Sequence, residues 1–293
     1  MARARVDMAL AQARLDEAPA GQIRLALAGI RRPVALDAGF AETVARVLAR
    51  WPQVAADDHP QAPVITVRRG RGGFYLYSPW THPPRRYRDP VDAACALVAD
   101  LARAWADDNR DALCLHAAAS RFGDGLVVFP SHYRAGKSVL AVALAAGGRP
   151  LVTDDVLAVD GAGHGIALGV SPRLRLPLPA GEEALANFAA AHAGPGSRRY
   201  LYLDLDPRLQ LAHGGALPVR ALVVLERDRH PALVPMPLGE MLRRMILRNF
   251  ARELEARVTF DRLRRLAARA PGYVLRYRRL SSAMALLAEA FGP

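Results

Sequence analysis

Residues 126–138 read Leu-Val-Val-Phe-Pro-Ser-His-Tyr-Arg-Ala-Gly-Lys-Ser, an apolar run that passes through a short loop into an alanine-rich stretch closed by Gly147-Gly148. This order commits the surrounding chain to an α/β arrangement, because a loop ending in Gly-Lys-Ser works only where a strand delivers it and a helix N-terminus receives it. Small residues let backbone N–H groups close on phosphate oxygens, a lysine reaches the β- and γ-phosphates, and a hydroxyl meets Mg²⁺. Gly136, Lys137 and Ser138 supply all three. Against the pattern G-x-x-x-x-G-K-[ST], Ser131 stands in place of the first glycine and His132, Tyr133 and Arg134 fill the interior. The predicted phosphate contacts are Ser131, Arg134, Ala135, Gly136, Lys137, Ser138 and Val139, with Ser138 also a predicted Mg²⁺ ligand.

Composition singles out the same position. The chain has 40 Lys plus Arg residues, and Lys137 is the only lysine among them. Where arginine serves everywhere else, a compact ammonium kept at this one place points to phosphate binding.

Downstream of the loop, residues 138–146 have helical composition ended by the glycine pair, and Leu151-Val152-Thr153 returns as a strand that stops at Asp154-Asp155. Adjacent carboxylates one strand–loop–helix–strand unit after the lysine can divide two tasks. One organises Mg²⁺ and its waters, while the other accepts a proton from an attacking hydroxyl. Residues 113–119 read as one apolar strand carrying His116, followed by a hairpin through Asp124-Gly125 into residues 126–129.

Residues 1–90 read as a small α+β module. Residues 23–27 and 34–36 alternate as strands, residues 41–51 have helical spacing at Val44, Val47, Leu48 and Trp51, and residues 64–67 and 74–77 flank a glycine-rich hairpin connection at 68–73. That glycine and arginine cluster is read as a solvated hairpin tip. Prolines 79, 83, 84 and 90 predict an irregular segment and a boundary, giving domains 1–90 and 91–293. From Asp89-Pro90 a helix is expected to residue 108, with Ala93, Leu97, Leu101 and Trp105 on one face. Further on, residues 194–199 (Gly-Pro-Gly-Ser-Arg-Arg) form a flexible basic loop. It either folds over a nucleotide to bring Arg198 or Arg199 to the transferring phosphoryl group, or is a surface linker. Residues 219–226 read as a buried strand, 238–256 and 260–270 as amphipathic helices, 273–277 as a last strand and 281–291 as a last helix.

At 293 residues, 52% hydrophobic and 23% charged, the chain has the composition of a folded globular protein. A net charge of +12 invites comparison with nucleic-acid binders, but the arginines are spread over the whole length among Asp and Glu, without zinc-finger spacing or an RNP-type motif. Nucleic acid is disfavoured as the main partner on that ground, and an acidic or phosphorylated substrate is favoured. Cys95 and Cys114 lack CxxC partners and read as free thiols of a reducing compartment. Residues 1–16 are Arg- and Ala-rich and amphipathic without the apolar core of a signal peptide, and no run approaches the ~20 apolar residues of a membrane span. The expected location is the cytoplasm.

His116, Lys137 21 residues later, and Asp154-Asp155 17 and 18 residues beyond that form an arrangement that resembles the bacterial HPr kinase/phosphorylase catalytic domain. It is more closely similar to HPr-kinase-related proteins that share Leu-His-Ala-Ala (here residues 115–118), a phosphate loop and Ser/Thr-Asp-Asp (here residues 153–155). The specific likeness covers residues 112–160, and a looser one, in residues 197–200 and the strand 219–226, extends toward 230. The resemblance implies an α/β fold with an HPr-kinase/phosphoenolpyruvate-carboxykinase-like nucleotide-binding core beside the small N-terminal α+β module. It further implies an ATP- and Mg²⁺-dependent kinase acting on a serine of a protein or peptide. Lys137 would contact the nucleotide phosphates, Ser138 and Asp154 the metal, Asp155 would take the proton, and His116 would border the reaction centre. Such relatives are often oligomeric, so a homo-oligomer is compatible with the sequence, although no heptad specifies one. The Glu-Ile-Arg-Gly motif of the phosphorylase-type members has no counterpart here, and residues 171–176 (Ser-Pro-Arg-Leu-Arg-Leu) lie in that region instead. Kinase activity is therefore the simpler expectation. Two alternatives stand beside it: a nucleotide-binding regulator or scaffold weakened in catalysis by its altered loop, and a kinase of a small metabolite.

Overall fold

Alternating apolar positions in residues 22–87 build a six-stranded sheet. Its elements are β1 (Gln22–Leu27), β2 (Val34–Asp37), α1 (Ala38–Val47), β3 (Gln53–Ala55), β4 (Ile65–Gly70), β5 (Gly73–Ser78) and β6 (Thr81–Tyr87), with strand order β3-β1-β2-β4-β5-β6. A computed structural model of the protein describes residues 21–56, 59–249 and 255–292; the amphipathic stretch 1–16 lies outside them. The expected glycine hairpin is present. Gly70 and Gly73 face each other across it, and a side chain on Gly73 would stand 2.1 Å from the Tyr87 carbonyl oxygen, so only glycine lets β6 close on the turn. The segment after residue 79, expected to be irregular, is instead the edge strand β6. Its ladder to β5 shifts register around Pro83 and Pro84, and at an edge the missing N–H donors cost nothing.

Helix α2 (Pro90–Asp108) starts at Asp89, whose carboxylate accepts the Val91 and Asp92 amides, with Pro90 in the first turn. Its predicted face (Ala93, Leu97, Leu101, Trp105) is buried against Leu36, Phe40, Val67 and Leu76 of the N-terminal sheet. The same core continues into Cys114, Val156, Ala158 and Tyr202. On α2 the buried Asp100 accepts hydrogen bonds from Ser78 Oγ (2.5 Å), Thr81 Oγ1 (2.9 Å) and Arg103 Nη1 (2.6 Å), tying the β5–β6 turn to the helix. Replacing Asp100 by alanine strands all three donors and is expected to cost on the order of 3 kcal/mol, read as a lowered urea midpoint. Asp100→Asn, which keeps one acceptor, should lose less.

Then follow β7 (Leu113–Leu115), β8 (Ala118–Phe122), β9 (Gly125–Phe129), α3 (Lys137–Ala146), β10 (Leu151–Thr153), β11 (Leu157–Val159), β12 (His164–Ile166), β13 (Arg173–Arg175), α4 (Glu183–Ala191), β14 (Ala193–Gly196), β15 (Tyr200–Leu203), β16 (Ala216–Arg227), β17 (Ala232–Pro235), α5 (Leu238–Ile246), α6 (Ala256–Arg269), β18 (Gly272–Tyr277) and α7 (Leu280–Phe291). Nine strands join along the path β10-β8-β9-β16-β12-β11-β7, with β18 on β16 and β17 on β18. β9, β16 and β18 are parallel neighbours, which explains their nearly unbroken apolar sequences. Val127 and Phe129 face a core shared with α3, α4 and α7, whereas Leu126 and Val128 face α5 and α6. The architecture is thus mixed α/β, with helices covering both faces of the larger sheet.

Two expectations are corrected here. The single strand at 113–119 is two, because at His116-Ala117 the backbone leaves its ladder. His116 N donates to the Arg248 carbonyl (2.7 Å) and Ala117 N turns back to that of Leu115 (2.9 Å), so β7 and β8 lie at separate places on the sheet path. The flexible loop at 194–199 is a strand and a tight turn. β14 pairs with β15 in a three-stranded sheet ordered β13-β15-β14, and Ser197 Oγ accepts the amides of Arg199 and Tyr200, both at 3.2 Å.

Candidate phosphate-binding site

β9 delivers the loop, and Ser131 anchors it. Its buried hydroxyl accepts the Leu225 amide of β16 at 2.7 Å, so the residue in the first-glycine position ties the loop to the neighbouring strand and does not line the cleft. Arg134 (φ +65°) and Gly136 (φ +96°) then take left-handed conformations that turn the chain into α3. A side chain on Gly136 would come within 3.1 Å of Arg227 Nη2 and 3.2 Å of Tyr277 Oη. The positive N-terminal end of α3, with its free amides, opens at this point. Lys137 is buried, and its ammonium donates to the carbonyls of Ser131 (3.1 Å) and His132 (3.3 Å). Burial lowers its pKa to about 8, against the opposing pull of Asp155.

The carboxylates arrive from the end of β10. Thr153 Oγ1 accepts the amides of Asp155 (3.3 Å) and Val156 (3.2 Å), a local turn that fixes the pair. Asp155 lies between two partners: His116 Nε2 stands 3.1 Å from Oδ1, and Arg173 Nη2 3.3 Å from Oδ2. Burial holds the His116 imidazole below its ordinary pKa, opposed by Asp155. Asp154 is buried behind it, and among the described residues its Oδ2 has no hydrogen-bond partner. Burial, reinforced by Asp155, holds its carboxyl up at about 6 while Ser138 and Arg173 oppose the shift.

These groups border one cleft of about 370 Å³. Of the predicted residues, His116, Arg134, Gly136, Lys137, Ser138, Val139 and Asp155 line it. Ser131 and Ala135 are buried in the loop's support, and Asp154 sits beneath the wall. Arg198 and Arg199 are not brought to the cleft: both are exposed, and Arg199 reaches Asp92 of α2 at 3.7 Å. The arginines at the cleft are instead Arg173, Arg175 and Arg227, joined by Tyr133 and Tyr200. Arg175 stacks between the rings of Tyr133 and Tyr200, 5.1 Å from each centroid, and donates to both hydroxyls. Arg173 lies 4.9 Å over Tyr200. The one signal for them in the sequence is the alternation Arg173-Leu174-Arg175, which turns two arginines to one side of a strand.

Among the described residues no cluster of three or more His, Cys, Asp or Glu side chains is arranged to hold a metal. The orphaned Asp154 oxygen beside the Ser138 hydroxyl nevertheless fits Mg²⁺, which takes one or two protein oxygens and completes its octahedron with phosphate and water. Because the Asp154 pKa is raised, the folded protein binds more protons there than the unfolded chain between pH 4 and 6, so this group costs stability as pH rises through about 6. Asp154→Asn is therefore expected to raise stability at neutral pH by roughly 2 kcal/mol and to change it little near pH 4, while weakening Mg²⁺-dependent nucleotide binding. Denaturation at the two pH values checks the first part and calorimetry the second.

Comparison with known proteins returns no matching family model and no significantly similar curated protein. No described helix is long and apolar enough to cross a membrane. Among the described residues both cysteines are free, Cys114 with its thiol pushed up to about 12 by burial.

Proposed function

We propose that the chain is a cytoplasmic, ATP- and Mg²⁺-dependent kinase of the HPr-kinase-like class that phosphorylates a hydroxyl, a serine of a protein or peptide. The observation that carries this reading is the convergence of Lys137, Ser138, Asp154, Asp155 and His116, from three separate segments, at the N-terminus of α3. Lys137 would exchange its two carbonyl acceptors for phosphate oxygens, joined by the amides of the loop and helix start. Ser138 and Asp154 would hold Mg²⁺, which would supply charge neutralisation during the transfer. Asp155, oriented by His116 and Arg173, accepts the proton of the attacking hydroxyl, and the cleft keeps the reactants in line. On this reading residues 91–293 form the catalytic unit on a phosphoenolpyruvate-carboxykinase-like core, and the N-terminal module presents the substrate or a partner.

One observation favours the second reading, a nucleotide-binding regulator. Tyr133 from the loop interior reaches across to Arg175 and narrows the cleft that both line. Calorimetry with Mg-ATP and a phosphotransfer assay against candidate proteins separate the two. Tight binding without Asp155-dependent transfer selects the regulator, and neither binding nor Lys137-dependent transfer overturns both. Truncation is a poor test for a small-molecule acceptor, because removing residues 1–90 would uncover the apolar face of α2.

A further inference from the structure

Given the kinase reading, the acceptor hydroxyl sits at Asp155, and β13 forms the wall beside it. The cleft is lined by five cationic side chains against the single carboxylate of Asp155. Three of them belong to the phosphate side: Lys137 and Arg134 are in the loop, and Arg227 packs against Gly136. Arg173 is answered by Asp155. Arg175 is left over. It has no ion pair to a carboxylate among the described residues, and the groups on its Nη2 are two neutral phenol oxygens. Held by two rings, its guanidinium can meet a carboxylate through the N–H donors that the phenols leave open. A nucleoside triphosphate with its metal carries roughly two net negative charges, which the loop cations already balance.

The spacing then selects the kind of acceptor. Arg173 and Arg175 flank the buried Leu174 and so share one side of β13, their Cα atoms about 7 Å apart along the strand. An extended peptide has the same two-residue pitch, whereas a small hydroxy acid carries its carboxylate nearer its hydroxyl. We infer that the acceptor is an acidic peptide segment with Asp or Glu two positions from the phosphorylated serine, read by Arg175. Tyr133 and Tyr200 hold the guanidinium in place for that contact.

Fluorescence anisotropy of labelled serine-centred peptides, with protein loaded with Mg²⁺ and a non-hydrolysable ATP analogue, tests this. A peptide with Glu at the second position on either side should bind about tenfold tighter than its alanine counterpart, and one with Glu adjacent to the serine by no more than about threefold. The preference should shrink as salt is added, disappear in Arg175→Gln and survive in part in Arg175→Lys. Equal affinity for all peptides, no binding of any, or equally effective competition by malate overturns the assignment, the last in favour of a small acidic acceptor. Binding of the ATP analogue is measured first, without peptide. Its failure sinks the kinase reading, whereas indifference to peptide charge with nucleotide bound sinks only the acidic acceptor.

Discussion

Lys137→Met is expected to weaken Mg-ATP binding and to lower phosphotransfer by roughly 10³-fold while the fold survives. Methionine keeps the apolar stem in its buried place and removes an ammonium whose burial is costly, so the thermal midpoint should move by only a few degrees. The loss then belongs to the phosphate contact. Because the pKa of this lysine is depressed to about 8, the ligand-free protein gives up the proton as pH rises through that value, well before an ordinary lysine does. Two opposite slopes follow. Stability of the free protein gains from this group between about pH 8 and 10.5, where only the unfolded chain remains protonated. Nucleotide affinity falls over the same range, approaching tenfold per pH unit, because phosphate selects the charged form. Wild-type affinity in Lys137→Met, or a flat affinity profile above pH 8, would contradict the assignment of this residue.

On the proposed mechanism, Asp155→Asn should reduce turnover by about 10²- to 10⁴-fold and leave Mg-ATP affinity within a few-fold, since it removes the proposed proton acceptor and spares the loop of Lys137. An amide in that place offers one acceptor where the carboxylate offered two, so either His116 or Arg173 meets an N–H group. The substitution also acts on its neighbours in predictable directions. Asp155 raises the pKa of both Lys137 and Asp154, so its neutralisation lowers both. The onset of affinity loss above neutrality should accordingly move to lower pH. Equal loss of binding and turnover in this variant would instead make Asp155 a structural anchor.

Much of this site is written in adjacent residues. The strand–loop–helix around Lys137, the stop at Asp154-Asp155 and the apolar face of α2 depend on local periodicity, glycine placement and capping, and all are present as read. The long-range features are not. Ser131 looked like a damaged glycine position, and its role became visible only with Leu225 of β16, 94 residues away, on its hydroxyl. Prolines 83 and 84 read as irregular until an edge position made their missing donors harmless. The basic run at 194–199 read as either a lid or a surface linker, yet its turn is closed by Ser197 and both arginines are exposed, Arg199 reaching Asp92 of α2.

The sequence alone determined which charged and hydroxyl groups the loop before α3 and the end of β10 carry, because a lone lysine, a hydroxyl and a carboxylate pair need only a strand and a helix start to be placed. Tertiary structure decided what faces them. The break in the ladder at His116 brings that imidazole to Asp155, and the small sheet bearing β13 brings Arg173 and Arg175 across from the loop. The physical reason is that backbone propensity acts over a few residues, whereas the opposite wall of a cleft is set by which strands pair and which faces bury, and these join segments far apart in the chain.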